Sequence, residues 1–373
     1  MDYSSAQGLS YPVADNPSVM RVVLIARIAP DVDANAVFAA MIQLPAAWCA
    51  AVPELTARHL FVLQGTVAIS ALHLSRLAGT EREKKHLRDI ATLQMNTGLI
   101  RYREALANVT EANAESLLAF SVTTTAWILY TTADDFKSLL HPANDIGKTL
   151  SQCLATVDSL VSYTSKILRT LRGVLVILVP CWHLIVNGVF ADVAKRDWWP
   201  YPIPACPEAI EVDKKLAKLE SLWMQPGRRY EYMFDTLRQA LKALRDDFAR
   251  VSQLTVSHDA KPTRYGRLVD WTSVMTWPIG LPLPFIELIE AKQPEAWVIL
   301  AHYAMLPAKV EYVFWIQDFA PNLVATAAIV LGEPMWDWIR WPAEVVGVDL
   351  DRFSTTSPMH ASRITVHQKG IIY

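Results

Sequence analysis

The chain has 373 residues, a formal net charge of −2 and 52% hydrophobic residues. The near-neutral balance gives no basic field for a polyanion, and basic runs such as Glu81–Lys85 are interleaved with acids, so direct nucleic-acid binding is not expected. The four cysteines, Cys49, Cys153, Cys181 and Cys206, lie far apart with no Cys-x-x-Cys pair, which argues against a structural zinc site or a redox dithiol and fits a reducing compartment.

In chain order, residues 1–20 are polar and read as a flexible lead-in. Val22–Ala26 is a short apolar run, and Asp31–Trp48 has helical spacing. Leu60, Leu63, Val67, Leu74 and Leu77 keep one face of a helix over Glu54–Leu77 apolar. A second, amphipathic helix covers Glu81–Leu106, and Asn113 is placed to cap a third that runs to about Thr131. Asp134, Asp135 and the residues to Asp145 read as a loop. Leu150–Ala191 reads as one long helix kinked at Pro180. Its run Gly173–Phe190 has the length of a membrane span, but Pro180, His183 and Asn187 favour a buried core helix, and no membrane span is expected.

Four prolines make Trp198–Pro207 an extended crossover. Helices follow over Ile210–Trp223 and Tyr230–Ser252, separated by Gln225-Pro226-Gly227. Val256–Gly266 reads as a loop, and prolines punctuate Trp271–Pro284. Pro294 opens a helix to Leu306. Tyr312–Leu331 and the Trp-rich Trp336–Pro342 come next, then a polar tail over 350–373. Period-two alternation never persists. The expectation is an all-α chain, with one helical domain over 21–349 around a central apolar ligand cavity.

Five segments in this order resemble one family. They are Ala68–Leu74, Asn113–Leu118, Leu171–Val174, Ala296–Ala304 and Trp338–Pro342. They resemble the regulatory domain of fungal zinc-cluster transcription factors, nearest to the sterol-uptake regulators. The resemblance implies a helical bundle that holds a greasy ligand. It departs at one point: no cysteine precedes Cys49, so the six-cysteine zinc cluster is absent from this sequence and the expectation is a pocket turned to another use.

That departure brings in a second resemblance, to the hetero-Diels–Alderases of fungal tropolone-sesquiterpenoid pathways, proteins of about this size with no familiar enzyme motif. It implies a cofactor-independent secondary-metabolism enzyme. Such an enzyme dehydrates a hydroxymethyl tropolone-type precursor to a quinone methide and joins it to a cyclic terpene such as humulene. The alternative is a non-enzymatic sterol- or lipid-sensing regulator without its own DNA-binding module. The first reading places the chain in the cytoplasm and the second in the nucleus. Both expect an apolar small molecule as partner, no cofactor and no metal, and an exposed apolar face on so greasy a chain equally suits a homodimer.

Orientation of two apolar reactants and one well-placed acid or donor are what such chemistry asks for. His302, Thr124 and His183 are the candidates for that role. His302 reads as a core histidine or an acid/base, and His183 follows the Pro180 kink and is placed for a freed carbonyl or a ligand. Ser121, Thr124 and Ile128 share a helix face that reads either as hydroxyls bonded back to carbonyls or as a polar stripe in a pocket wall. Trp223, Trp271, Trp277 and Trp341 are candidate walls for fused rings, beside the alternative of ordinary helix packing. Tyr230 stands either at a pocket mouth or on a solvated helix turn, and His73 and Arg172 read as structural.

Overall fold

The computed structural model describes residues 46–140, 149–191, 195, 199–256, 267–268, 271–310 and 312–354. Among them the chain is all-α, as its periodicity indicates. Extended pairing among the described residues is limited to a two-residue antiparallel ladder, Thr255–Val256 on Arg267–Leu268, with Thr255 opposite Leu268. The expected lead-in, the Val22–Ala26 run, the residues of the Asp31–Trp48 helix before Ala46, the His141–Asp145 loop, residues 257–266 and the tail beyond 354 lie outside the described residues.

The described helices fall into two compact units. The first holds α1 (Ala46–Arg58), α2 (Leu60–Leu77), α3 (Glu81–Leu106) and the start of α4 (Ala114–Leu140), together with residues 183–191. Thr80 begins α3 by accepting a hydrogen bond from the Glu83 N–H, and Glu81 and Glu83 place negative charge at the helix N-terminus. Helix α2 has the length and apolarity of a membrane span, and much of it is packed inside this unit. Gly65 and Gly98 let α2 and α3 close on the Phe120 ring, since a Cβ at either would stand 2.9–3.0 Å from Phe120 or Thr123. Phe61 and Tyr102 complete that cluster, with Tyr102 4.9 Å and Phe61 5.6 Å from Phe120 between ring centres. Glu115 accepts the Phe190 N–H at 3.0 Å, and Gly188 leaves room for its carboxylate.

The second unit takes the rest of α4 from Thr124, α5 (Leu150–Leu178), α7 (Pro207–Ala217), α8 (Met233–Leu254), α9 (Thr276–Gly280), α10 (Leu283–Glu290), α11 (Pro294–Tyr303), α12 (Phe319–Leu331) and α13 (Trp336–Val346). The four-residue turn α6 (Trp182–Ile185) precedes α7. Helix α11 is its central post: every residue from Glu295 to Tyr303 is buried. Indole N–H groups tie the packing to backbone carbonyls, Trp277 to Ala240 at 2.9 Å, Trp297 to Ile289 at 3.0 Å and Trp336 to Ala328 at 2.9 Å. Helix α5 is clamped to α10 by Ser165 and by a two-pronged Arg169 contact to Glu290, while Arg172 donates to the Leu281 carbonyl.

Several helix ends differ from expectation. The helix expected over Glu54–Leu77 is two: His59 is extended, and its ring bonds the Ala112 carbonyl at 3.0 Å. The Asn113 carbonyl accepts the first α4 bond, but its side chain turns back to the Thr110 N–H and the Asn108 carbonyl. Helix α4 continues to Leu140 instead of stopping near Thr131, through Asp134 and Asp135, because Phe136 carries its apolar face onward into the core. Helix α5 ends at Leu178 instead of kinking and running on; Pro180 has no N–H to extend the ladder. The segment expected as polar tail begins with a 3-10 turn, Leu350–Phe353, that buries Leu350 and Phe353.

Two glycines give opposite expectations. Gly98→Ala drives a methyl into Phe120 and should cost about 1–2 kcal/mol despite alanine's better helix propensity. Gly173, inside α5 with open space around it, should gain roughly 0.5–1 kcal/mol on Gly173→Ala. Urea denaturation midpoints of the two variants check both signs.

Candidate ligand site

The second unit builds its interior from α11 outward. His302 is 3% exposed, and its Nδ1–H donates to the Val298 carbonyl at 2.8 Å, one turn earlier on the same helix. A carbonyl can only accept, so the proton sits on Nδ1. Burial pulls its pKa down to about 4 against an ordinary 6.5, with the Val298 bond opposing in part, so the ring is neutral at pH 7. The Trp341 indole packs edge-on at 5.7 Å between centres, and the Lys215 ammonium lies 4.7 Å from the centre of that half-buried indole.

Next to His302, Tyr303 is buried with its hydroxyl directed at the Met275 sulfur, and burial pushes its pKa well up. Trp277 stacks on Tyr303 at 4.8 Å. Trp271 is buried edge-on to Trp315 at 5.1 Å. Trp223 is wholly enclosed. The Nε1 atoms of Trp223 and Trp271 are shielded and have no hydrogen-bond partner among the described residues. A buried donor left unpaired costs about 1–3 kcal/mol, so each is a standing demand for an oxygen acceptor.

A third such donor stands on α12. Asn322 is the lone carboxamide in the apolar run Phe319–Leu331; it is 8% exposed and its Nδ2 has no partner among the described residues. It lines a small cleft with Thr132 of α4 and Thr164 of α5, walled by Leu129, Phe136 and Phe319. The free space there matches about one water molecule. Asn322 is not among the site residues expected from sequence, because a single amide in an apolar helix forms no periodic pattern.

The remaining expected site residues are dispersed. Thr124 and Ile128 are half-buried on α4, and Ser121 is buried with its hydroxyl on the Leu118 carbonyl at 2.7 Å. The neighbouring Thr131 and Thr132 hydroxyls likewise donate one turn back, to Trp127 and Ile128. His183 is exposed and belongs to the first unit. Tyr230 is 63% exposed, stands in irregular chain ahead of α8, which begins at Met233 and not at Tyr230, and donates to the Asp235 carboxylate. Its neighbour Arg228 reaches inward instead, pairing with the buried Glu295 at 2.8 Å and with the Leu222 carbonyl at 3.1 Å. Arg172 is structural, as its pattern indicated.

Among the described residues no group of three His, Cys, Asp or Glu side chains is placed to hold a metal ion. Comparison with protein-family models, with curated proteins and with solved structures finds no match.

The depressed pKa of His302 has a stability consequence. The unfolded chain takes up this proton near pH 6.5 and the folded chain only near pH 4, so stability is flat above pH 6.5 and falls as pH drops between the two. From pH 7 to 4.5 this one group should remove about 2–3 kcal/mol. His302→Gln, which cannot titrate, should lose that much less over the same interval, read as the difference between the two proteins in urea denaturation at both pH values.

Proposed function

We propose that this chain is a non-enzymatic regulatory domain that senses an apolar small molecule of sterol or terpene type within its second unit. The observation that carries the reading is three buried donors with no acceptor among the described residues, Trp223 Nε1, Trp271 Nε1 and Asn322 Nδ2, in an interior rich in apolar and aromatic side chains. Ligand sites are mostly apolar with a few placed polar groups, and an oxygen-bearing apolar guest answers such donors. The five segments that resemble fungal regulatory domains also fall on helices or at a helix start: Ala68–Leu74 in α2, Asn113–Leu118 at the start of α4, Leu171–Val174 in α5, Ala296–Ala304 along α11 and Trp338–Pro342 in α13. On this reading the domain acts in the nucleus through a partner, with DNA contact supplied outside these helices.

The dehydration and cycloaddition reading asks for a proton donor beside the ligand. His302 is neutral at pH 7, with its one N–H committed to Val298, and the Ser121 hydroxyl is committed to its own helix. The commitment of these two groups supports the reading of binding without chemistry.

Thermal unfolding with a sterol, a sesquiterpene alcohol and a short polar alcohol tests the proposal. A sterol or sesquiterpene at a hundred times its Kd should stabilise the chain by about 2.7 kcal/mol, and the polar alcohol should not. No stabilisation by either apolar ligand would refute ligand sensing. Incubation of a tropolone alcohol with humulene should give adduct no faster than buffer alone; faster, selective adduct would restore the enzyme.

A further inference from the structure

We propose that the Asn322 cleft is the polar anchor of the ligand site and takes the single hydroxyl oxygen of an otherwise apolar molecule. The inference rests on the ligand-sensing reading and adds where the ligand's oxygen goes. Three helices meet at the cleft. Asn322 comes from α12, Thr132 from α4 and Thr164 from α5, all within the second unit.

The hydrogen-bond inventory selects the guest group. Asn322 Nδ2 offers its N–H donors and has no partner among the described residues. The Thr132 hydroxyl spends its proton on the Ile128 carbonyl at 2.6 Å, and the Thr164 hydroxyl on the Leu160 carbonyl at 2.9 Å. Each threonine oxygen therefore keeps acceptor capacity and has no proton left to give. The cleft thus supplies one amide NH2 group, with two N–H donors, and two acceptor oxygens. A hydroxyl, which accepts and donates at once, satisfies that set. A carbonyl or ether leaves the threonines without a donor, and a carboxylate would bury a charge with no cation lining the cleft.

Size gives the same answer. The free space admits one oxygen-sized group and no ring. Leu129, Phe136 and Phe319 wall this space, so the body of the ligand lies beyond it and only its hydroxyl enters. Asn322 itself sits in a helix of strongly apolar residues, where leucine would serve packing better. Keeping an amide there without a partner among the described residues is a cost that a bound hydroxyl offsets.

The test uses farnesol and its deoxy hydrocarbon, titrated into the full chain and into Asn322→Leu, with Thr132→Val/Thr164→Val as a second variant that keeps shape and removes the acceptors. Wild type should prefer farnesol. Asn322→Leu should weaken farnesol about tenfold, the worth of one hydrogen bond, and leave the hydrocarbon within twofold. The threonine double variant should also lose the preference. Equal binding of both compounds to wild type, or an unchanged preference in both variants, means the cleft holds only a water and overturns this inference while ligand sensing stands. Failure of both compounds to bind overturns the two together. Should Asn322→Leu not fold, the threonine variant alone decides.

Discussion

Everything in the second unit depends on a helix that is buried on all sides. Helix α11 exposes none of its residues from Glu295 to Tyr303, so each polar group it carries must be answered from within the protein. Most are. Glu295 meets Arg228, the Trp297 indole meets the Ile289 carbonyl, and His302 turns onto its own helix at Val298. That last bond, together with burial, holds the imidazole neutral. The neighbours of α11 are then chosen for area and flatness, which is why Trp277 stacks on Tyr303 and Trp341 packs against His302. Among the described residues, buried donors on Trp223, Trp271, Arg250 and Asn322 meet no acceptor.

The two units solve packing differently. In the first, glycines at 65 and 98 bring helix backbones close around one aromatic cluster, so small residues set the geometry. In the second, large side chains and charged clamps do so. Glu290 gathers Ser165 and Arg169, and Lys137 reaches Asp318 at the start of α12. The Arg169 guanidinium and the Ser165 hydroxyl hold the Glu290 carboxyl below the usual carboxylate range, so this clamp persists at neutral pH.

Much of the helical order was legible because it is written in local chemistry. Helix α3 has the bounds its amphipathic spacing implies. The break at Gln225-Pro226-Gly227 is real, with Gly227 at φ +83° where glycine is favoured. What was not legible depends on contacts distant in sequence. The break at His59 goes with a carbonyl fifty-three residues away, and the extension of α4 through two aspartates follows from the burial of Phe136. At the site, periodicity put His302 on a buried helix but carried no information on which carbonyl its ring would choose. Asn322 was invisible for a related reason. One amide in an apolar helix has no pattern, and only the packed neighbours show that its nitrogen is left alone.

The proposed ligand site lies in the interior of the second unit, beside buried donors without acceptors among the described residues. Amide hydrogen exchange with and without a saturating sesquiterpene alcohol tests it most directly, because binding must raise the opening free energy of the helices that touch the guest. Exchange should slow in Leu129–Phe136, Leu160–Leu168 and Phe319–Ala327, with residues 60–106 of the first unit unchanged. No change in the second unit, or protection confined to residues 60–106, would contradict it.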